Sequence, residues 1–449
     1  MSIFNALVNA VTGMRAQSFA LNNISSNIAN SQTTGYKRVD TGFQDLVGAA
    51  PLRQQNGGSV AAFSRSTNTI AGTLTETRVP THFGIDGEGF VAVRERVESN
   101  AGVPSFSATN LYSRRGDFTL DRNGYLVNGA SHYLVGNTLD PATGARTGSV
   151  PDVVRVAAGR MPAQPTTTVS FSGNVPATPQ TEVYEANVPG SDIWAAPGGT
   201  LPGTVTPATV PDSAAFARNS IAGPSVTMFD ATGNPVDVNL RWTKAAETAT
   251  GSTWGLYAAT GPAATSAASS WTLASAFTFN ASGRMTAPAG PFAMNLSGLG
   301  LGAAVNFELA GQVTQYADID GQAKVDRVTQ DGGAMGDFES LSISDDGLVM
   351  ARYTNGRTQG LAQIAIAQFN APEALQRAGG GAFQATVESG DPLWNANGAT
   401  LRSGALEGSN TDIAEEFSKM IVTQQAYSAN TRVISTSQQM LQETLNVVR

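Results

Sequence analysis

The sequence predicts a mainly β protein whose two ends are long α-helices that pair with each other as a coiled coil. Three observations lead to this fold class: both ends lack proline, both ends repeat apolar residues at helical spacing, and the chain between them carries β-hairpin signals. Proline interrupts helix interiors, so the stretches before Pro51 and after Pro392 are where long helices fit. Similar β patterns on both sides of the middle predict nested β domains, formed as the chain leaves and returns.

The N-terminal helix is predicted within residues 1–30. Seven positions follow alternating steps of four and three residues, five of them apolar and two of them serine (Ser18 and Ser25), which places them on one narrow seam. A narrow seam with polar side chains opposite favours another helix as its partner, although periodicity alone leaves open packing on the chain's own globular body. The seam residues predicted to mediate pairing and assembly are Leu7, Val11, Met14, Leu21 and Ile28.

The C-terminal helix is predicted over about residues 412–448, and residues 1–30 and 408–449 together form the predicted terminal coiled-coil domain. Asp412, with Glu415 three residues later, predicts a capped start with acidic side chains in the first turn. Apolar residues recur in every heptad of this stretch, as they do in coiled coils. The predicted seam residues are Ile413, Phe417, Met420, Tyr427, Ile434, Leu441, Leu445 and Val448.

The remaining chain is predicted to be linker and β structure. Residues 31–75 are interpreted as an extended linker with one strand pair. Residues 76–152 and 317–407 are predicted to form one inner β domain, because both carry Asn-Gly or Asp-Gly turns between apolar runs. Residues 153–316 are rich in Pro, Ala, Thr and Gly and are nearly uncharged in places, which predicts an outer β barrel or sandwich.

Composition excludes several classes of function. The 449 residues carry a net charge of −8 and contain no cysteine, so disulfides and thiolate zinc sites are ruled out. Lysine and arginine form no stripe of the kind that nucleic acid requires. No apolar run approaches the ~18–20 residues of a membrane span, which predicts no membrane insertion. The N-terminus lacks a basic stretch leading into an apolar core, so no cleaved signal peptide is predicted.

Each candidate chemical motif has a simpler structural interpretation. Gly84–Gly89 leads into a strand pattern, whereas a dinucleotide-binding loop leads into a helix. The acids of Asp318–Asp326 are too closely spaced for an EF-hand. His82 and His132 are interpreted as ordinary surface or turn histidines, and Arg114–Arg115 as members of structural ion pairs. The sequence therefore predicts no enzyme: no catalytic residue, cofactor or metal ligand.

Motifs at the two ends of the chain carry a family resemblance. Residues 26–30 (S-N-I-A-N), 34–37 (T-G-Y-K) and 404–412 (G-A-L-E-G-S-N-T-D) resemble the signatures of the bacterial flagellar rod and hook proteins, an axial protein family. Residues 420–430 (M-I-V-T-Q-Q-A-Y-S-A-N) resemble a further family motif. Ser26 and Gln425 depart from the family pattern, in which Asn and Arg are usual. The residues that carry the resemblance are Asn27, Ala29, Asn30, Gly35, Tyr36, Lys37, Leu406, Glu407, Ser409, Asn410 and Asp412.

Residues 114–127 resemble a segment that the family shares, residues 331–356 resemble a segment of its hook members, and the large middle insertion also agrees with the hook members. The resemblance implies a structural subunit of the flagellar hook, a self-assembling helical tube that acts as a flexible universal joint between rod and filament. A distal rod or hook-associated axial subunit is the alternative within the family. A β-scaffold adhesin or enzyme is the alternative from another class.

The resemblance also implies partners and a location. The partners are further copies of the chain, the distal rod protein, the hook cap, the hook–filament junction proteins and the flagellar type III exporter. The implied location is extracellular, in the hook next to the basal body. In such a tube the terminal helices form the inner wall and the β domains form the outer layers.

Overall fold

The computed structural model describes most of the chain. Val448, a predicted seam residue, and residues 47–58 of the predicted linker lie outside the described residues. The described residues are 3–46, 59–100, 103–141, 143–148, 150–156, 159–194, 201–205, 213–260, 271–301, 304–309, 313–394 and 398–447.

The chain divides into two compact units. Unit 1 comprises Met1–Ala158, Glu339–Arg352 and Thr358–Arg449, and unit 2 comprises Gly159–Phe338 and Tyr353–Arg357. Unit 1 is therefore built from both ends of the chain, as the predicted excursion and return requires. The finer domain limits given by the sequence remain a prediction.

The first part of unit 1 is one long helix followed by strands. The helix confirms the N-terminal prediction, and a hairpin closes at Asn123-Gly124, where Gly124 has φ +84°. The elements are α1 (Ile3–Ala29), β1 (Val39–Leu46), β2 (Ser59–Ser66), β3 (Leu74–Glu76), β4 (Phe83–Gly87), β5 (Phe90–Asn100), β6 (Val103–Phe106), β7 (Leu111–Ser113), β8 (Phe118–Leu120), β9 (Leu126–Asn128), β10 (His132–Thr138) and β11 (Asp152–Val153).

Unit 2 is a β sandwich with one short helix. One sheet has the order β19-β20-β12-β21, with β22 also on β12, and the other has the order β13-β17-β16-β15-β14, with β18 on β17. Apolar residues of both sheets, among them Phe171, Trp242, Trp254, Phe277 and Phe307, share one buried core. The elements are β12 (Thr168–Pro176), β13 (Thr204–Val205), α2 (Ser213–Arg218), β14 (Ile221–Phe229), β15 (Pro235–Thr248), β16 (Gly251–Ala259), β17 (Trp271–Asn280), β18 (Met285–Ala287), β19 (Phe292–Met294), β20 (Val305–Leu309), β21 (Thr314–Tyr316) and β22 (Lys324–Gln330).

The returning chain completes unit 1. Its strands join the earlier ones in a large sheet whose main path is β23-β24-β25-β10-β5-β7-β28-β27. Phe90, Tyr112, Val135, Phe369 and Phe383 lie in the core that both parts of the chain form. The elements are β23 (Phe338–Ile343), β24 (Leu348–Tyr353), β25 (Thr358–Ile364), β26 (Ile366–Gln368), β27 (Gln376–Arg377), β28 (Ala382–Gln384), β29 (Leu393–Trp394), β30 (Ala399–Ser403), β31 (Ala405–Glu407) and α3 (Ile413–Val447).

Three small strand pairs lie in unit 1, and two of them join the N-terminal and C-terminal parts of the chain. β1 pairs with β2 over eight residues each, so the strand pair expected in the linker is present and long. β3 pairs with β31, and β4 pairs with β30, which ties the segment before the C-terminal helix to strands near the N-terminus. The helices α1 and α3 lie against each other, so the predicted fold class is confirmed.

Candidate functional site

Two signature segments from opposite ends of the chain meet in unit 1. We call residues 27–38 the N-terminal signature segment and residues 404–412 the C-terminal signature segment. Gly35 N–H donates to the Glu407 carbonyl oxygen at 2.7 Å, and Arg38 N–H donates to Asn410 Oδ1 at 2.7 Å. The two segments are therefore hydrogen-bonded to each other, and we call this contact region the junction.

Three charged side chains form the centre of the junction. Lys37 Nζ lies 2.5 Å from Glu407 Oε1, and Arg114 Nη1 lies 3.2 Å from Glu407 Oε2. The side chains of Lys37 and Glu407 are 0% exposed and that of Arg114 is 1% exposed. We call these three residues the ion triad. It joins three sequence motifs, those at residues 34–37, 114–118 and 404–412, in one site.

Backbone groups complete the environment of the ion triad. Lys37 Nζ donates to the Ile70 carbonyl oxygen at 2.6 Å, and Gly72 N–H donates to Glu407 Oε1 at 2.8 Å. Arg114 Nη2 donates to the Gly87 carbonyl oxygen at 2.7 Å. Burial lowers the pKa of Lys37 below its ordinary value, and the Glu407 carboxylate offsets only part of that shift.

Gly35 allows the N-terminal signature segment to approach the backbone beside Arg114. Its φ of +65° lies in the left-handed region, which favours glycine. A Cβ atom at this position would lie 2.8 Å from the carbonyl carbon of Arg114, which is closer than real side chains approach. A side chain here would therefore push the signature segment away from the ion triad.

Asn27 connects three elements at the end of α1. Its side-chain Nδ2 donates to the Val39 carbonyl oxygen at 3.0 Å and to Glu416 Oε2 at 2.9 Å. Its Oδ1 accepts from Val39 N–H at 2.9 Å and from the Tyr36 hydroxyl at 3.3 Å. Asn27 and Glu416 are both buried, so one carboxamide fixes α1, β1 and α3 relative to one another.

Asn410 performs a similar role in the C-terminal signature segment. Besides accepting from Arg38 N–H, it donates through Nδ2 to the carbonyl oxygens of Thr67 and Ile70, both at 3.2 Å. Asp412 then begins α3, because its Oδ1 accepts from Ala414 N–H at 2.8 Å. The predicted helix start is confirmed by this cap.

The other signature residues have local roles. Asn30 Nδ2 donates to the Ser26 carbonyl oxygen at 2.9 Å and so closes the last turn of α1, while Ala29 is exposed. Leu406 is half-buried in β31, where it pairs with Thr75. Ser409 Oγ accepts from Thr411 N–H at 3.2 Å.

Sequence reasoning missed Arg377, which holds the N-terminal signature segment from a distant strand. Its guanidinium lies over the rings of Tyr36, 5.2 Å from the centroid, and Phe383, 5.8 Å from the centroid. Its Nη2 donates to the Lys37 carbonyl oxygen. Arg377 lies in β27, whose sequence carries no motif, so only the fold reveals this contact.

A charged cluster surrounds the start of α3. Arg38 Nη1 lies 2.9 Å from Glu415 Oε2, and Lys419 Nζ lies 2.9 Å from both Glu415 Oε1 and Glu416 Oε1. Lys419 also reaches Asp40 in β1 at 3.4 Å. Hydrogen bonds from Lys419 and Arg38 lower the pKa of Glu415 below its ordinary value.

The contact between α1 and α3 is made largely by small and polar residues. The buried residues of α1 are the small Ala10, Gly13, Ala16 and Ala20, followed by Ile24 and Asn27. A Cβ at Gly13 would lie 3.0 Å from Asn430 Nδ2, so the helices approach closely at that point. Small residues permit close helix approach, and this signal was present in the sequence but was not the one used.

The predicted seam residues divide into two groups. Some of the predicted seam residues are not covered within the single chain: the exposed fraction is 50% for Phe417 and 66% for Leu445. The half-buried seam residues are Leu7, Val11, Met14, Leu21, Ile28, Met420, Ile434 and Leu441. The exposed seam residues are Ile413, Phe417, Tyr427 and Leu445. Contacts of this second group with other copies of the chain remain a prediction.

Further apolar side chains on both helices are exposed within the single chain. Three of them lie in α1 and four in α3. The additional residues are Phe4, Val8, Phe19, Ile421, Val422, Val433 and Met440. Helices α1 and α3 therefore present apolar surface that is not covered within the single chain.

The other candidate residues have structural surroundings. Arg114 and Arg115 make the expected ion pairs, Arg115 with Asp117 at 2.6 Å. His82 hydrogen-bonds Thr77 in a loop. The expectation for His132 is wrong, because it lies buried in β10 with Nε2 3.4 Å from a Glu95 carboxylate oxygen.

Gly84–Gly89 leads into strand β5, as predicted, but Gly84–Gly87 lies within strand β4, where a turn was expected. Asp318 pairs with Lys324 at 2.5 Å. Among the described residues, no three His, Asp or Glu side chains are grouped so that they could hold a metal ion. Within the same ranges, no helix combines the length and the hydropathy that a membrane span needs.

Family models match three parts of the chain. Residues 7–37 match the model described as flagella basal body rod protein, and residues 402–447 match the C-terminal model of the flagellar basal body rod FlgEFG proteins. Residues 197–333 match the FlaE D2 domain model of flagellar basal body proteins. The helix pair, the junction and these matches place the chain in the class of flagellar axial proteins.

Similar proteins extend over the whole chain. The flagellar hook protein FlgE of Escherichia coli (strain K12) is 31% identical over 452 residues, covering 98% of this chain and all of the relative. The hook protein FlgE of Brucella suis biovar 1 (strain 1330) is 29% identical over 456 residues and covers both chains completely. The chain thus belongs to the flagellar hook protein family. A solved structure, the Helicobacter pylori hook protein FlgE2, has a TM-score of 0.49 and 13% identity, covering 74% of this chain and all of that one.

Proposed function

We propose that the chain is the structural subunit of a bacterial flagellar hook and assembles with copies of itself into a helical tube. The observation that carries the proposal is the uncovered apolar surface on α1 and α3. Burying one large apolar side chain contributes about 1.5–3 kcal/mol, so covering several of them favours association strongly. Subunits that dock through unlike surfaces form an open helical polymer instead of a closed ring.

The tube acts as a flexible universal joint that transmits torque from the motor and rod to the filament. Bending requires contacts between subunits that exchange at little cost. Residues 248–307 contain one charged residue, Arg284, so contacts made by this stretch fix few ion pairs. We place residues 153–316 in the outer layer of the tube and the terminal helices in its inner wall.

The remaining parts of the proposal concern partners, location and chemistry. The chain contacts the distal rod protein at one end of the hook and the hook–filament junction proteins at the other. It reaches the cell exterior through the flagellar type III exporter and is added beneath the hook cap. It catalyses no reaction and its work is mechanical.

Two exposed residues of α3, Phe417 and Ile421, provide the test of assembly. The double variant Phe417→Ser, Ile421→Ser is produced in cells of the source bacterium that lack their own copy of the chain. We expect the double variant to be exported and then to fold, but to build no hooks in electron micrographs, because the association surface has lost two large apolar side chains. Val387→Ser is the matched control, since Val387 is 95% exposed and lies in a loop away from both helices.

The control variant is expected to build hooks of normal length. Hooks of normal length and number from the double variant would contradict the proposal. Deleting residues 412–449 is expected to leave a folded β core that does not assemble, measured by circular dichroism and sedimentation. An unfolded product of that deletion would contradict the proposed separation of the coiled-coil domain from the β domains.

A further inference from the structure

The ion triad has a surplus of positive charge. Lys37 and Arg114 are both cations, and Glu407 is the anion that both contact, at 2.5 and 3.2 Å. All three side chains are at most 1% exposed, so water does not screen the two cations from each other. Glu407 is therefore the group on which burial of both cations depends.

The three members come from distant parts of the chain. Lys37 belongs to the N-terminal signature segment, Arg114 follows β7 of the sheet, and Glu407 ends β31 of the C-terminal signature segment. When Glu407 is absent from the site, docking of the N-terminal signature segment brings Lys37 into a dry site beside Arg114. A buried charge without its partner is strongly unfavourable. When Lys37 is absent, by contrast, Arg114 and Glu407 remain a balanced pair.

We propose that Glu407 is a lock that makes docking of the N-terminal signature segment conditional on docking of the C-terminal one. The lock couples the two ends of the chain energetically, so the junction closes as a unit. One consequence rests on the proposed function: a chain exported end-first cannot close the junction until both ends have left the channel. The coupling itself is a property of the isolated chain.

The proposal predicts that Glu407→Gln and Lys37→Met differ in their effects. Loss of packing or of hydrogen bonds alone does not predict this difference. Glu407→Gln keeps the side-chain shape and an oxygen for Gly72 N–H, but leaves two unpaired cations. Lys37→Met removes one of these cations and leaves the Arg114–Glu407 pair. The Ile70 carbonyl oxygen that Lys37 contacts still accepts a hydrogen bond from Asn410 in that variant. Glu407→Gln is therefore the more damaging change, although it is the more conservative in shape.

Amide hydrogen exchange of the purified full-length chain, read by mass spectrometry, tests the lock. In Glu407→Gln we expect exchange protection to fall about a hundredfold in peptides covering residues 34–41 and 404–411 together. In Lys37→Met we expect a loss of tenfold or less in both. Peptides from β5 and β10 serve as the internal reference, and their unchanged protection shows that the sheet remains folded.

The double variant Lys37→Met, Glu407→Gln is expected to be better protected than Glu407→Gln alone, because one unpaired cation has been removed. The proposal is overturned if Glu407→Gln exchanges like the unaltered chain, if only residues 404–411 lose protection, or if Lys37→Met is as damaging as Glu407→Gln. Because exchange is measured on the isolated chain, failure of the lock and failure of hook assembly are distinguishable.

Discussion

Replacing Asn27 with alanine is expected to lower the free energy of opening the junction by more than the small size of the asparagine side chain suggests. Leaving aside the longest of its four hydrogen bonds, the one accepted from the Tyr36 hydroxyl at 3.3 Å, the carboxamide makes two bonds with the backbone of Val39 and one with the buried Glu416 carboxylate. A neutral hydrogen bond contributes about 1 kcal/mol and one to a charged group about 1.5–3 kcal/mol. Together these losses come to about 3.5–5 kcal/mol, and the better helix propensity of alanine returns about 0.5 kcal/mol.

The expected net effect of Asn27→Ala is a loss of about 3–4.5 kcal/mol in the free energy of opening the junction, a factor of roughly a hundred to a thousand. The assay is amide hydrogen exchange of residues 36–41 in the full-length chain. Asn22→Ala is the control, because Asn22 lies in the same helix and is exposed. A loss below about 1 kcal/mol, or equal losses in the two variants, would refute the role assigned to Asn27.

Three further predictions concern the same region and its surroundings. Gly35→Ala is expected to lower the free energy of unfolding by about 3 kcal/mol or more, against about 1 kcal/mol for Gly144→Ala, measured by denaturant titration. Both glycines have φ near +66°, but no atom lies within 4 Å of a Cβ at Gly144, so equal losses would contradict the close approach. Arg377→Lys is expected to weaken protection of residues 36–38 at least tenfold, since lysine lacks the planar fork, while the exposed Arg402→Lys changes nothing measurable. The pKa of Glu415 is lower in the folded chain than its ordinary value. Its contribution to the free energy of unfolding is therefore complete above the ordinary pKa, and it is lost as the pH falls through the pKa of the folded chain. This contribution is below about 1 kcal/mol because Glu415 is half exposed, and Glu415→Gln should flatten the acid limb of a stability–pH profile.

The sequence contained enough information to predict the fold class and the main local elements. Helix α3 begins at Ile413, one residue after the predicted start, and continues to Val447, the last residue that the structure describes, because the Asp412 cap and the apolar repeat are both local signals. The hairpins at Asn123-Gly124 and Asn355-Gly356 were also predicted, since the glycine of each dipeptide adopts the positive φ angle that the turn requires.

The contact between the helices was less predictable. Periodicity selects the large apolar residues, but the closest approach is set by where side chains are small, as at Gly13 and Ala16. The large residues Phe417 and Leu445 are consequently exposed. Apolar residues repeating every 3.5 residues indicate that a helix packs against another helix. The repeat does not indicate which face of the helix makes that contact.

The junction was predictable only in part. Its signature residues were recognised, but their partners depend on which distant segments the fold brings together. The ion triad joins positions 37, 114 and 407, and Arg377 reaches the same segment from β27. Separations of this size leave no periodicity or spacing in the sequence. The pairing of β12 in parallel with β20 and β21 has the same long-range character.

The most direct test of the central claim, that the chain builds the flagellar hook, is immunogold electron microscopy on intact flagella of the source bacterium. The antibody is raised against residues 159–338 and is first shown to bind the purified chain. The account predicts label confined to the short curved segment between the cell envelope and the filament. Label only on the straight rod or at the hook–filament junction, or no label on flagella, would contradict it.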